Sequence, residues 1–122
     1  MANQRGFSRQ DKVRKAMIRE VSDIIAREVK DPVLSNQIIS VTDIELSPDM
    51  RHAKIFISVF GNEELREEIM AVLVEAKPQI RAELGHRIRL RHTPDIDIRY
   101  DDSLERGTRV TTLLNQISRG EV

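Results

Sequence analysis

A proline interrupts a helical pattern between two predicted strands, and this interruption constrains the fold more than any other feature. Apolar side chains recur at helical spacing over residues 65–76, and a second helical stripe covers residues 80–88. Pro78 has no N–H and its ring would collide with the carbonyl of Val74, whereas its fixed φ suits the first turn of a new helix. The sequence therefore predicts two helices joined by a kink at Ala76, Lys77 and Pro78.

The segments that flank this helix pair have the alternation of β-strands. Over residues 53–60, aliphatic side chains alternate in a strict period of two with lysine, serine and two phenylalanines, and residues 90–100 end in a similar alternation. Residues 38–46 are rich in β-branched side chains, and their apolar phase changes near Thr42, as a β-bulge would produce. Turn residues at 47–49 predict an antiparallel hairpin of the first two strands, whereas the helical crossover makes the second and third strands parallel.

Amphipathic helices are predicted at both ends of the chain. Ser8 can cap a long helix over residues 8–30, which Asp31-Pro32 ends, and Ser103 can cap a short helix within residues 103–122. We therefore expect an α+β fold in the order α-β-β-α-kink-α-β, in which helices cover one face of a mixed three-stranded sheet and a short C-terminal helix follows. The expected divisions are a flexible segment at 1–7, one domain at 8–102, and the C-terminal helix and tail at 103–122.

Charge is sorted along the chain although its total is zero. Because 20 basic and 20 acidic side chains cancel, the case for a polyanionic partner depends on local patches. One basic run occupies the first half of the N-terminal helix, and a second lies within residues 77–92, where Glu83 is the only acid. Two such patches together favour a surface that contacts RNA phosphates. The predicted RNA-binding residues are Arg5, Arg9, Lys12, Arg14, Lys15, Arg19, Lys77, Arg81, Arg87, Arg89 and Arg91.

Each of these basic residues also has a less specific interpretation. The helix face can be an ordinary solvated surface, and the later arginines can pair with nearby acids such as Asp95 and Asp97. If the chain is extended from Arg87 through Arg91, alternate arginines project from one face as a comb of guanidinium groups suited to phosphates. If Arg87 and the residue after it are still helical, that comb is broken.

Composition excludes several classes of function. One tyrosine and three phenylalanines are too few for widespread stacking on bases, and we expect Phe56 and Phe60 to pack within the fold. The absence of cysteine excludes disulfides and thiolate metal sites. No apolar run approaches the ~18 residues that a membrane span needs. We therefore expect a cytoplasmic protein with no membrane partner.

An enzyme is not expected, although two alternatives stay open. The acids of the Asp95–Asp102 segment could hold a metal ion in a small hydrolase, but the histidines lack ligand spacing and no nucleophile with an orienting base stands nearby. A glycine-rich phosphate loop is also absent from the sequence. Alternatively, the basic helix could bind an acidic protein, which would make the chain an adaptor. We expect no cofactor and no metal site.

Four segments together resemble the ribosome-binding factor A family and its type II KH-like fold. They are the basic start SRQDKVRKAMIREVSDIIAREVKDP, the hairpin SVTDIELSPDMRHAKIFISVFG, the broken helix and strand EAKPQIRAELGHRIRLRHTPDIDIRYDDS, and the closing LERGTRVTTLLNQI. The kink sequence Ala76-Lys77-Pro78 stands where the family carries Ala-x-Gly, so the bend is kept by a stiffer residue. The GxxG loop with which a conventional KH domain holds nucleic-acid backbone is absent.

The resemblance implies a bacterial small-subunit assembly factor. Such a protein would bind free 30S subunits and their 16S rRNA, and it would not bind complete 70S ribosomes. It would assist late maturation and efficient 16S rRNA processing near the 5′-terminal helix region. It would act as a monomer without catalysis, and its release would depend on an assembly GTPase or on later ribosomal events.

Overall fold

The helices and strands follow one another in the order that the sequence periodicities predict. The computed structural model describes residues 8–103, so Arg5, the predicted N-terminal segment and the predicted C-terminal helix lie outside the described residues. The elements are α1 Arg9–Arg27, a 3-10 turn Pro32–Leu34, β1 Ile39–Leu46, β2 His52–Val59, α2 Glu63–Glu75, α3 Lys77–Arg87 and β3 Asp95–Tyr100. This order confirms the predicted α+β fold for the part of the chain that the structure describes.

The three strands form one mixed sheet in the order β1-β2-β3. β1 and β2 are antiparallel, and β2 and β3 are parallel, as the hairpin turn and the helical crossover predict. The register of the first pair shifts between Val41 and Asp43, so that Val41 lies opposite Ile57 and Asp43 opposite Phe56. This shift is the predicted β-bulge, and it turns Asp43 toward α1.

Side-chain caps set the helix boundaries. The Ser8 hydroxyl accepts a hydrogen bond from the backbone N–H of Asp11 at 3.1 Å, and the Asn62 side chain accepts one from Leu65 at 2.8 Å. Ala76 lies between the end of α2 and the start of α3, and Pro78 stands in the first turn of α3. The predicted break between the paired helices is therefore present at the predicted residues.

The helices pack against one face of the sheet and bury an aliphatic core. Alternate residues of β2, among them Ile55 and Ile57, are fully buried, as are Met17 in α1 and Ile80 in α3. Burying one such side chain stabilises a fold by about 1.5–3 kcal/mol. The core therefore fixes α1 and α3 relative to the sheet, and with them the loops at their ends.

Phe60 does not pack in the fold, contrary to the prediction. Its side chain is 75% exposed and lies next to Ile38, which is 64% exposed. The alternation that buries Val59 puts Phe60 on the same face as Lys54, which is the face that the helices leave open. Phe56, on that face as well, is half-buried.

Candidate nucleic-acid interface

A basic stripe runs along the outer face of α1. It consists of Lys12, Lys15 and Arg19, which are all exposed. Their spacing of three and four residues places them on one side of the helix, opposite the buried face that includes Met17 and Val21. The stripe therefore presents three cations to solvent from a helix that the core holds in place.

Arg14 points away from this stripe and toward the sheet. Its guanidinium lies 2.7 Å from the Asp43 carboxylate at the bulge of β1. The same carboxylate oxygen accepts a hydrogen bond from the N–H of Ile44 at 2.8 Å. Arg14 thus joins α1 to β1 and is not part of the stripe.

A second group of cations lines a cleft of about 400 Å³ beside the start of α1. We call it the basic cleft, and its lining residues are Arg9, Asp49, Met50, Arg51, Leu90, Arg91 and His92. They come from three separate segments, namely the first turn of α1, the turn between β1 and β2, and the loop after α3. The two basic runs of the sequence therefore meet here, through Arg9 and Arg91.

One acid lies among the cations of the basic cleft. The Ser47 hydroxyl and the backbone N–H of Arg51 donate to Asp49 Oδ1 at 2.7 and 3.1 Å. These two hydrogen bonds, that of Ser47 above all, lower the pKa of Asp49 below its ordinary value. Asp49 therefore stays ionised at neutral pH, and the cleft sets three guanidinium groups against one carboxylate.

The comb of arginines predicted for an extended chain does not form, because α3 continues through Arg87. The Arg87 guanidinium lies 2.7 Å from Asp23 and 3.2 Å from Glu20, both on α1. It also lies 3.5 Å from Glu28 and 3.5 Å from Glu83. We call these five residues the Arg87 cluster. Because the Arg87 side chain is only 22% exposed and faces four carboxylates, its role in this structure is to join α3 to α1.

The charges of the Arg87 cluster stabilise one another. The hydrogen bond from Arg87 is the largest of the effects that lower the pKa of Asp23, and Arg27 adds to it. The same hydrogen bond raises the pKa of Arg87. Both groups therefore stay charged at neutral pH, and the second half of α1 carries acids where its first half carries exposed cations.

The cations beside the kink do not reach the basic cleft. Arg81 donates to the backbone carbonyls of Pro94 at 3.0 Å and Thr93 at 2.8 Å, and so supports the start of β3. Lys77 is half-buried at the first residue of α3, whose 11 residues separate it from the cleft by roughly 16 Å. Arg89 is exposed in the loop after α3, two residues before Arg91.

The acids of the third strand pair with neighbouring arginines. Asp97 lies 2.8 Å from Arg99, and Asp95 lies 3.5 Å from Arg81. Within residues 8–103, no group of three or more histidine or carboxylate side chains is placed to hold a metal ion. In the same part of the chain, no helix is long and apolar enough to cross a membrane. Both aspartates are therefore engaged by arginines in this structure.

Sequence reasoning missed two of the basic residues that line the cleft, Arg51 and His92. Arg51 Nη2 lies 3.4 Å from His92 Nε2, although 41 residues separate them in the chain. Arg51 is an isolated cation next to the predicted turn, so no local charge run marked it. The predicted parallel pairing of β2 with β3 was the one available signal, because it brings the start of both strands to the same end of the sheet.

Comparison with known proteins then identifies the family. The model of the family described as ribosome-binding factor A matches residues 9–114. The chain belongs to this family. Curated ribosome-binding factor A proteins include one from Halothermothrix orenii, 50% identical over 103 residues that cover 84% of this chain and 83% of that protein. Another, from Thermosynechococcus vestitus, is 46% identical over 119 residues, which cover 98% of this chain and 92% of that protein.

Solved structures of ribosome-binding factor A share the fold. The crystal structure of the Thermus thermophilus protein has a TM-score of 0.62 at 23% identity, covering 72% of this chain and 91% of that one. A Thermus thermophilus homology model fitted into the cryo-EM map of a 30S–ribosome-binding factor A complex has a TM-score of 0.60 at 22% identity, covering 73% of this chain and 91% of that one. The family is one of ribosome-binding factors and not of enzymes, which agrees with the prediction from the sequence.

Proposed function

We propose that this chain is an assembly factor that binds the small ribosomal subunit and contacts its RNA through the basic stripe and the basic cleft. The observation that carries the proposal is that Arg9 and Arg91, from the two basic runs, line one cleft beside the exposed stripe. A continuous positive surface of this kind attracts a phosphate backbone, whatever the net charge of the whole chain. The family and the 30S complex of the Thermus thermophilus relative support the same target.

The chemistry of this surface suits folded RNA. Arginine and lysine contact phosphates, which positions a protein on RNA, whereas sequence readout needs exposed base edges or aromatic stacking. Among residues 8–103, the lining of the basic cleft includes no aromatic ring other than that of His92. The chain therefore reads the shape of the RNA and the placement of its phosphates.

The protein acts by differential affinity and without catalysis. A factor that binds an immature arrangement of the RNA more tightly than the mature one stabilises the immature arrangement until the preference reverses. On this proposal it works as a cytoplasmic monomer, binds free 30S subunits and not 70S ribosomes, and assists late 16S rRNA processing near the 5′-terminal helix region. An assembly GTPase or a later ribosomal event releases it.

Cosedimentation tests this function. The full chain is expected to sediment with purified free small subunits and to be absent from the 70S fraction. It is also expected to bind protein-free 16S rRNA, which an adaptor for acidic proteins would not do. Equal binding to 70S ribosomes would contradict the proposed preference for free subunits.

A paired variant separates this function from the hydrolase alternative. Asp95→Asn together with Asp97→Asn removes the carboxylates that a metal site would need, while leaving the basic surface intact. Binding to small subunits and 16S rRNA processing in a strain that carries only this variant are expected to stay within about twofold of the wild type, because such surface pairs contribute little. Normal subunit binding combined with abolished rRNA processing would favour the hydrolase.

A further inference from the structure

We propose that the basic cleft is a binding site for a single phosphate group of RNA, held by Arg9, Arg51 and Arg91. This inference rests on the proposed function and adds to it the turn between β1 and β2 as a third RNA-contacting segment. Neither the charge runs of the sequence nor the family match points to that turn. The way in which the cleft is built supports it.

The three arginines line the cleft from three separate segments of the chain. Arg9 belongs to the first turn of α1, Arg51 follows the hairpin turn, and Arg91 lies in the loop after α3. Within residues 8–103, no ion pair engages any of the three. Each guanidinium offers a planar pair of donors that matches two phosphate oxygens. Three such groups around one cleft can satisfy a single tetrahedral anion from several sides.

The Arg51 side chain is oriented by its neighbour. Its Nη2 lies 3.4 Å from His92 Nε2, and since arginine has only donors, the imidazole nitrogen is the acceptor. The contact leaves the other guanidinium N–H groups of Arg51 available to a ligand. His92 is therefore a positioning residue that limits how far the Arg51 side chain moves.

The backbone of the hairpin turn is also held in place. The Ser47 hydroxyl accepts from the N–H groups of Arg51 at 3.2 Å and His52 at 3.0 Å. Met50, just before Arg51, has φ of 59°, a left-handed conformation that a side chain of this size rarely adopts. Strained residues of this kind persist where surrounding bonds fix them, and they are frequent at binding sites. Here the strained residue directly precedes Arg51, and both line the cleft.

The size of the cleft fits a phosphate with part of its ribose. Its volume of about 400 Å³ is within the range of small-ligand sites. Met50 and Leu90 contribute apolar side chains to the lining, while the cations supply most of its polar groups. A surface that bound RNA only by diffuse attraction would need neither this concave shape nor these apolar neighbours.

Arg51→Gln gives the first test, with protein-free 16S rRNA as the probe and the full chain as the protein. We expect binding to weaken by about tenfold, because one charge-assisted contact is lost. The slope of log affinity against log salt should fall by about 0.7–0.9, the value for one phosphate. Circular dichroism checks that the fold is retained.

A double-mutant cycle tests whether two arginines hold the same group. The losses of RNA affinity caused by Arg51→Gln and Arg91→Gln should not add when the two are combined, because each change weakens the binding of the same phosphate. Arg51→Gln and Arg19→Gln should be additive, since Arg19 lies on the stripe and not in the cleft. Additive effects for both pairs would overturn the single-phosphate site.

Asp49→Asn gives a test in the opposite direction. Asparagine keeps a side-chain oxygen that can accept from Ser47 and Arg51, but it removes the carboxylate charge that opposes an anion. RNA binding is therefore expected to strengthen by about threefold. Asp97→Asn, which removes a carboxylate from outside the cleft, is the matched control and should leave the affinity unchanged.

The outcomes separate this inference from the proposed function. If Arg51→Gln and Asp49→Asn change nothing while Lys12→Gln and Arg19→Gln weaken RNA binding, the phosphate site is wrong and the function stands. If none of these variants changes RNA binding, the function fails together with the site.

Transcripts with a 5′-hydroxyl or a 5′-monophosphate identify the source of the phosphate. If Arg51→Gln loses the same affinity for both transcripts, the bound group is an internal phosphodiester. If it loses affinity only for the transcript with a 5′-monophosphate, the bound group is the terminal phosphate.

Discussion

Replacing Arg87 with glutamate is expected to lower the midpoint of thermal unfolding by roughly 10 °C or more. The new carboxylate would stand among Asp23, Glu20, Glu28 and Glu83 with no cation in place of the one it removes. Asp23 would keep Arg27 at 2.8 Å, but the other three carboxylates would lose the cation that they face. The contact between α1 and α3 would then be repulsive.

Arg89→Glu is the matched control for that measurement. Arg89 is two residues further along the chain, is exposed, and has no ion pair within residues 8–103. Its replacement should shift the midpoint, followed by circular dichroism, by no more than a degree or two. Equal shifts for the two variants would show that Arg87 is an ordinary surface arginine.

The loss of folding stability at acid pH gives a second test of the role of Arg87. Because the pKa of Asp23 is lowered in the folded state, its contribution to stability is present above its ordinary value of 3.8 and is lost as the pH falls below it. Arg87→Gln removes the largest cause of that lowering. The variant should therefore lose less stability than the wild type between pH 4 and pH 2, measured by denaturant unfolding at each pH. An equal loss of stability at acid pH in both proteins would contradict the conclusion that Arg87 is the main cause of the lowered pKa of Asp23.

Reversing one charge in each basic run is expected to weaken small-subunit association by about a hundredfold. The variant carries Lys12→Glu on the stripe and Arg91→Glu in the cleft, which are both exposed positions. Each substitution replaces attraction to a phosphate with repulsion. Since neither residue has an ion pair within the described part of the chain, the midpoint of thermal unfolding should stay close to that of the wild type.

Lys30→Glu combined with Lys54→Glu is the control for net charge. Lys30 lies beyond the end of α1, and Lys54 lies on the sheet face that the helices leave open. The pair changes the total charge by the same amount as the first variant, so an effect of overall charge would appear in both. An equal loss of association for the two variants would show that the stripe and cleft are not the contact surface.

The fold could be predicted because its signals are local. Ser8 and Asn62 cap their own helices, and Pro78 acts on the turn that contains it. The phase change at the bulge of β1 is visible in neighbouring apolar residues. Phe60 shows the limit of this reasoning, since an aromatic side chain at the end of an alternating strand does not reveal which face is covered.

The site could be predicted only in part because it depends on contacts between distant segments. The exposed cations of α1 follow from helical spacing, but the neutralisation of Arg87 depends on acids more than 50 residues earlier on α1, such as Asp23. Arg51 can be assigned to the cleft only when the register of the sheet is known. A charge run therefore indicates that cations are concentrated, but not which of them face solvent.

The position of the cleft also separates this chain from a conventional KH domain. A KH domain holds nucleic-acid backbone at the GxxG loop between its paired helices. Here a proline-containing kink takes that place, and Arg81 beside it is bound to the carbonyls of Pro94 and Thr93. The cations of the cleft lie at the other end of α3. We therefore expect RNA contact to centre on the start of α1 and the loop after α3.

The salt dependence of association tests the central claim most directly, because that claim is electrostatic. Three phosphates neutralised by the cations of the stripe and one phosphate held in the cleft predict a linear fall of log affinity with log salt and a slope of about −3 to −4. In the variant with Lys12→Glu and Arg91→Glu, the slope should be smaller by at least about 1.4. A flat salt response of the wild-type protein on free small subunits would contradict the account.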